Sequence, residues 1–157
     1  MTDAAHNHFW QTSDTQIVGL LLVGWGLDSL WPLTFEATAP LLPLRVLGAS
    51  FLIAGIALWQ WTRAFMKRLD QPDGPWKPTT QLITAGPFAY SRNPSYLGIA
   101  LVMPGLAFAF DMPWWLALWP VYTAVLHFVQ ILPEEQYLAH KFSDEWLAYR
   151  SHVRRWL

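Results

Sequence analysis

The chain has 157 residues, enough for one domain. Hydrophobic residues make up 54% and charged residues 13%, roughly half the charged share of an ordinary soluble domain, so the surface need not face water everywhere. A formal net charge of −1 argues against a nucleic-acid partner, and the absence of Cys excludes disulfides, thiolate metal sites and cysteine nucleophiles.

In chain order, residues 1–15 are polar, carry His6 and His8, and read as a solvated tail. Residues 1–16 contain no Lys or Arg, and no small-residue cleavage pattern follows, so the first apolar run is expected to stay in the mature protein. That run covers 17–33 and is interrupted by Asp28. The second covers 41–61, and its helix is expected to continue through Arg63, Lys67 and Arg68. Both approach the ~20 residues that a bilayer crossing needs. Pro72, Gly74, Pro75 and Pro78 then end any helix. The third run, 96–110, contains Pro104-Gly105 and is expected to be short or kinked. Asp111-Met112-Pro113 makes a turn, and the fourth run covers 113–132. These elements predict an all-α, polytopic membrane protein, one domain over 1–157, with four transmembrane helices and a cytoplasmic C-terminal helical segment. Eleven Trp fit the interface between an apolar medium and water.

Basic residues set the orientation. With the termini and the 62–96 loop on one side, that side holds Arg63, Lys67, Arg68, Lys77, Arg92, Lys141, Arg150, Arg154 and Arg155, and the other holds Arg45. The asymmetry predicts cytoplasmic termini. The short chain suggests a bacterial inner membrane.

After the fourth run, Leu138, Phe142, Trp146, Tyr149, Val153 and Trp156 recur at helical spacing. Ser143 followed by Asp144 and Glu145 predicts a fresh helix start, hence two short helices with a break near Phe142-Ser143. Their apolar stripe would lie on the membrane surface or cover a pocket.

The hairpin formed by the third and fourth runs returns the chain to the side it left. It brings Arg92, Asn93 and Tyr96 at one end towards Glu134 and Glu135 at the other. Thr123, His127, Gln130 and Glu134 are spaced by four, three and four, one polar stripe on a helix. Such a stripe either faces a wet site or hydrogen-bonds neighbouring helices. The Gly86 and Asn93-Pro94 turns leave backbone groups free, and Phe88, Tyr90 and Tyr96 offer flat apolar surface. Arg92 and Arg155 suit a carboxylate or phosphate, and Glu134 suits an amine or ribose hydroxyls. The set fits a nucleoside-like cofactor bearing both charges, which spacing alone does not name. No His pair has zinc spacing, so no metal site is expected.

The run from Thr84 to Gly98, TAGPFAYSRNPSYLG, resembles the signature of the isoprenylcysteine carboxyl methyltransferase and phospholipid methyltransferase families. Pro133-Glu134-Glu135-Gln136-Tyr137-Leu138 is similar to their second motif, and residues 142–149 with Val153-Arg154-Arg155 to their closing pattern. The resemblance spans about residues 80–157. It implies an integral-membrane enzyme binding S-adenosyl-L-methionine at the cytoplasmic face, through motifs at 80–98 and 133–157. By resemblance, Gln81, Leu82, Ile83, Phe88, Asn93, Pro94, Ser95, Tyr96 and Glu134 contact the cofactor. Gln130, Arg92 and Arg155 lie towards the substrate, a lipophilic or small-molecule methyl acceptor. Eukaryotic carboxyl methyltransferases have His where Asn93 stands and Arg where Gln130 stands; Gln is less suited to a carboxylate substrate. An amine or hydroxyl acceptor would need a base, for which Glu135 and His127 are the candidates. An NADPH-dependent membrane reductase of the sterol type and a non-catalytic membrane scaffold are the alternatives.

Overall fold

Proline or glycine stands at most of the helix starts. The computed structural model describes residues 13–37, 39–71 and 79–157, and every regular element among them is helical. The polar N-terminal tail, with His6 and His8, lies largely outside the described residues. So do Lys77 and most of the Pro/Gly-rich loop.

Helix α1 spans Ser13–Leu30 and stops short of Pro32, so it begins and ends earlier than the apolar run suggests. Asp28, mid-run in the sequence, is half-buried and accepts a hydrogen bond from the Leu33 amide (3.3 Å), closing the last turn. Helix α2, Leu41–Arg68, follows Pro40 and carries Arg63, Lys67 and Arg68 on its final turns, as the sequence predicts. Its 28 residues extend about 42 Å, longer than a hydrocarbon core is thick.

A 3-10 turn at Gly86–Ala89 precedes helix α3, Pro94–Phe110. Gly86 has φ +63°, and a Cβ there would meet the Phe65 ring at 2.6 Å, so the position requires glycine on both counts. Helix α4, Pro113–Val125, runs through a π-helical segment, Leu126–Ile131, into helix α5, Leu132–His152. The fourth run is therefore not one regular α-helix. In a regular helix the Pro133 ring would clash with the carbonyl four residues back. The widened turn, in which the Leu132 amide reaches the His127 carbonyl, takes up that conflict.

Ser143 (φ 39°, ψ −104°) breaks α5 into two helical pieces, at the place the sequence indicates. Its conformation is one L-residues avoid, so the break is a kink under strain rather than a fresh N-cap.

The helices pack in the order α2, α3, α4, with α1 against α4. Contact between α2 and α3 is backbone to backbone. A Cβ on Gly55 would lie 2.6 Å from the Gly98 carbonyl oxygen, and one on Gly98 would lie 2.7 Å from that of Gly55. On the other face of α3, Ala100 and Met103 form a core with Tyr122 and Leu126, joined by Ile17, Leu20, Leu21 and Trp156. At one end of the bundle the Asp111 carboxylate accepts the Phe35 amide (2.6 Å), tying the two tight connections together.

Among the described residues, two helical runs are long and apolar enough to cross a bilayer: Leu41–Arg68 and Pro113–His152, the latter kinked at Ser143. Apolar α3, at 17 residues, is shorter. Leu22, Val23, Trp25, Val46, Ile53, Ile56, Val121 and Phe128 are exposed, an exterior suited to lipid rather than water.

Candidate functional site

The proline of Asn93-Pro94 occupies the first position of α3, where its missing N–H costs nothing. This fixes the 86–93 segment against the start of that helix. At the other end of the α3–α4 hairpin, Pro133 and the π turn deliver Glu134 and Glu135 to the same place. The Tyr96 hydroxyl donates to Glu134 Oε2 at 2.9 Å across 38 residues of sequence. Burial pushes the Glu134 carboxyl above its ordinary range, and the hydrogen bond from Tyr96 offsets only part of that effect.

Glu135 has a different environment. Arg155 grips it side-on, Nε to Oε1 at 3.0 Å and Nη2 to Oε2 at 2.8 Å. Arg92 Nη2 stands 3.5 Å from Oε1, and Asn93 Nδ2 donates to Oε1 at 3.4 Å. Burial alone would raise this carboxyl; the Arg155 hydrogen bonds and the Arg92 charge outweigh it and hold the group below the usual range. A carboxylate this committed is a poor proton acceptor, which weakens its case as a base. The other candidate base, His127, is half-buried with Nε2 3.5 Å from Arg155 Nη1.

The chain's final residues close the network. Arg92 N donates to the Arg154 carbonyl (3.0 Å). The Arg155 carbonyl accepts from Ser91 Oγ (3.3 Å) and Asn93 Nδ2 (3.1 Å). Behind this, Arg92 stacks over the Trp146 ring at 5.6 Å, and the Tyr149 hydroxyl donates to the Phe88 carbonyl at 2.7 Å. Burial pushes that hydroxyl up to about 12, so it remains a donor at any ordinary pH.

The polar stripe does not act as one unit. The Thr123 hydroxyl returns to the Pro120 carbonyl (2.9 Å). Gln130 is 1% exposed. Gln81 is exposed, and Leu82 and Ile83 are half-buried on the irregular stretch before Gly86. No hydrogen bond joins these three side chains to the Glu134–Glu135 cluster among the described residues. Phe88 and Ser95 are half-buried, and Pro94 is buried.

Three buried donor atoms have no partner among the described residues: Arg92 Nε, Arg92 Nη1 and Gln130 Nε2. An unpaired buried donor costs on the order of 1–3 kcal/mol. Three of them on two site residues fit a ligand rich in oxygen and nitrogen acceptors.

Sequence reasoning missed several parts of this arrangement. The Trp146 and Tyr149 roles were within reach, since their stripe was visible. The carbonyls of Arg154 and Arg155 carry no side-chain signal at all. Gln71 was also missed: it is buried and bonds both the Thr80 amide (3.1 Å) and its hydroxyl, closing the base of the 71–80 loop.

Neither a curated protein nor a solved structure matches the chain. The family model for phospholipid methyltransferase matches residues 44–145, which takes in most of α2, then α3, α4, the π turn and the first half of α5. Both ends of the hairpin that meet at Tyr96 and Glu134 fall inside that span, and the chain belongs to the phospholipid methyltransferase family.

Proposed function

We propose that the protein is an integral-membrane S-adenosylmethionine-dependent methyltransferase acting on a lipophilic acceptor at the cytoplasmic face of a bacterial inner membrane. In this reading α1, α2, α3 and the α4–π run make four crossings. The α3–α4 hairpin then opens on the side that carries nine of the ten basic residues. The observation that carries the reading is the Tyr96–Glu134 hydrogen bond, which joins the two motif-bearing ends of one hairpin into one site.

When bound, the cofactor supplies a methyl group already activated on a sulfonium. What remains for the chain is to hold, align and exclude water, effects worth up to ~7–11 kcal/mol in favourable cases. Gln81, Leu82, Ile83, Phe88, Asn93, Pro94, Ser95, Tyr96 and Glu134 hold the cofactor. Gln130 and Arg92 face the acceptor with their unpaired donors. Arg155 contributes through Glu135, which it already grips. His127 is left as the group able to accept a proton from an amine or hydroxyl acceptor. The acceptor enters sideways from lipid and the cofactor from water, so the site belongs at the interface.

Calorimetry on the full chain in detergent tests this. S-adenosylhomocysteine should bind the wild type, and Glu134→Ala should weaken binding at least about tenfold, a loss of roughly 1.4 kcal/mol. Unchanged affinity would remove Glu134 from the site. A melting shift with NADPH and none with S-adenosylmethionine would replace the reading with the reductase.

A further inference from the structure

Asn93 stands at the N-cap of α3, where an Asn side chain ordinarily accepts a hydrogen bond from the first helical turn. Here it makes no such bond. Its amide nitrogen instead donates twice, to Glu135 Oε1 at 3.4 Å and to the Arg155 carbonyl at 3.1 Å. Both partners are pure acceptors. A flipped amide would put its own oxygen against a carboxylate and a carbonyl, so only one orientation is compatible with the surroundings. Both amide hydrogens are used, and Oδ1 accepts no hydrogen bond from the described residues. The backbone around it is equally constrained: Asn93 N donates to Ser91 Oγ (3.1 Å), which itself donates to the Arg155 carbonyl. Asn93 is 6% exposed.

We propose that Glu135 and the C-terminal tail at Arg155 are positioning elements that lock the Asn93 carboxamide, so that Oδ1 presents a fixed, neutral hydrogen-bond acceptor to an N–H or O–H group of the bound ligand. This rests on the methyltransferase reading for the ligand, but not for the lock. The clamp on Glu135 thereby has a purpose other than proton transfer. Arg155 holds the carboxylate, the carboxylate and the Arg155 carbonyl hold the amide, and the amide oxygen faces the ligand. A neutral acceptor selects donors without demanding charge. Such donors exist on the cofactor, as ribose hydroxyls or the adenine amino group, and on an amine or hydroxyl methyl acceptor.

The sequence offers a clean probe, because its only asparagines are Asn7 and Asn93. Protein labelled with ¹⁵N-asparagine gives two side-chain NH₂ pairs, and Asn93→Leu identifies which is which. The lock predicts that both Asn93 protons exchange slowly with solvent and that Glu135→Ala makes the pair exchange at least tenfold faster. An Asn93 pair that exchanges freely in the wild type, or is untouched by Glu135→Ala, overturns the lock whatever the protein binds.

The ligand half is read by S-adenosylhomocysteine affinity. Asn93→Leu and Asn93→Asp should each weaken it at least about tenfold, the second by placing an anion against Glu135. Combined with Asn93→Leu, Glu135→Ala should add less than about twofold, because it acts through the amide. Full additivity overturns the positioning role. Weakened binding assigns the donor to the cofactor. Wild-type affinity in Asn93→Leu, with turnover lost in a vesicle assay using labelled S-adenosylmethionine and bulk membrane lipid, assigns it to the methyl acceptor. Unchanged affinity and unchanged turnover overturn the ligand contact. No binding by the wild type, with the amide still protected, would defeat the methyltransferase reading and the ligand contact and leave the lock standing.

Discussion

Glu134 and Glu135 are neighbours in sequence and opposites in electrostatics. Burial raises the first; two guanidinium groups and an amide outweigh burial and depress the second. Their contributions to pH-dependent stability therefore have opposite signs. A depressed carboxyl stabilises the fold above its unfolded value, near 4.3, and that contribution disappears as pH falls through the folded value. A raised carboxyl does the reverse: its contribution is full at low pH and is lost as pH rises through the folded value. Melting temperatures followed from pH 3 to 8 should separate the two. Glu134→Gln should remove the loss on the alkaline side, and a wild-type-like slope there would show that burial does not perturb this group. Glu135→Ala should cost about 3–5 kcal/mol at neutral pH, because buried Arg92 and partly buried Arg155 both lose their counter-charge. Urea melts in detergent measure this; a cost under about 1 kcal/mol would mean the cluster is solvated. The sequence made the carboxylate pair visible but not its division of roles, because burial and partners are set by chain segments distant from both.

At the scale of elements, two features predict stability changes of opposite sign. The α2–α3 seam leaves no room for a methyl group at Gly55 or Gly98, and the nearest obstructing atoms are backbone, which cannot rotate away. Gly98→Ala should therefore destabilise by about 1–3 kcal/mol, the usual range for overpacking. A neutral result would mean the two helices part easily. Ser143 is the contrary case. A non-glycine residue at φ 39° carries strain on the order of 1–3 kcal/mol, and glycine relieves most of it. Ser143→Gly should raise the melting temperature despite sitting inside a helix, where glycine ordinarily costs about 1 kcal/mol. A lowered value would indicate a helical backbone at this position. The break itself was legible from Ser143-Asp144-Glu145. The positive φ was not, since it arises from how the second half of α5 must turn to place Trp146 and Tyr149 on the 86–93 segment. The π turn likewise escaped periodicity, because a one-residue widening before Pro133 leaves the apolar pattern almost unchanged.

At the scale of the molecule, the proposed four crossings put the α1–α2 connection and the C-terminal tail on opposite faces. The chain has no Cys, so single introduced cysteines report topology directly. Ala37→Cys and Ser151→Cys both stand at exposed positions. In sealed inverted vesicles a membrane-impermeant maleimide should label the cysteine at 151 and spare the one at 37, and the reverse should hold in intact spheroplasts. Labelling of both from one side would overturn the four-crossing arrangement. The site itself depends on more than the family-matched span: Arg155 and the Arg154 carbonyl lie beyond residue 145, yet close the cluster around Glu135. Truncation before Val153 should therefore abolish S-adenosylhomocysteine binding while leaving the transmembrane helices inserted.

Composition and the spacing of apolar runs determined the helical class, the order of the elements and the two ends of the hairpin. These are properties of local chain chemistry: apolar length sets a helix that lipid tolerates, and proline or glycine ends it. The tertiary structure alone decided which carboxylate is clamped and which faces Tyr96, how Asn93 is turned, and that backbone carbonyls from the chain's last residues complete the site. Those outcomes depend on burial and on hydrogen bonds between residues as far as 64 positions apart. Backbone groups are alike in every residue, so only their placement in space distinguishes them.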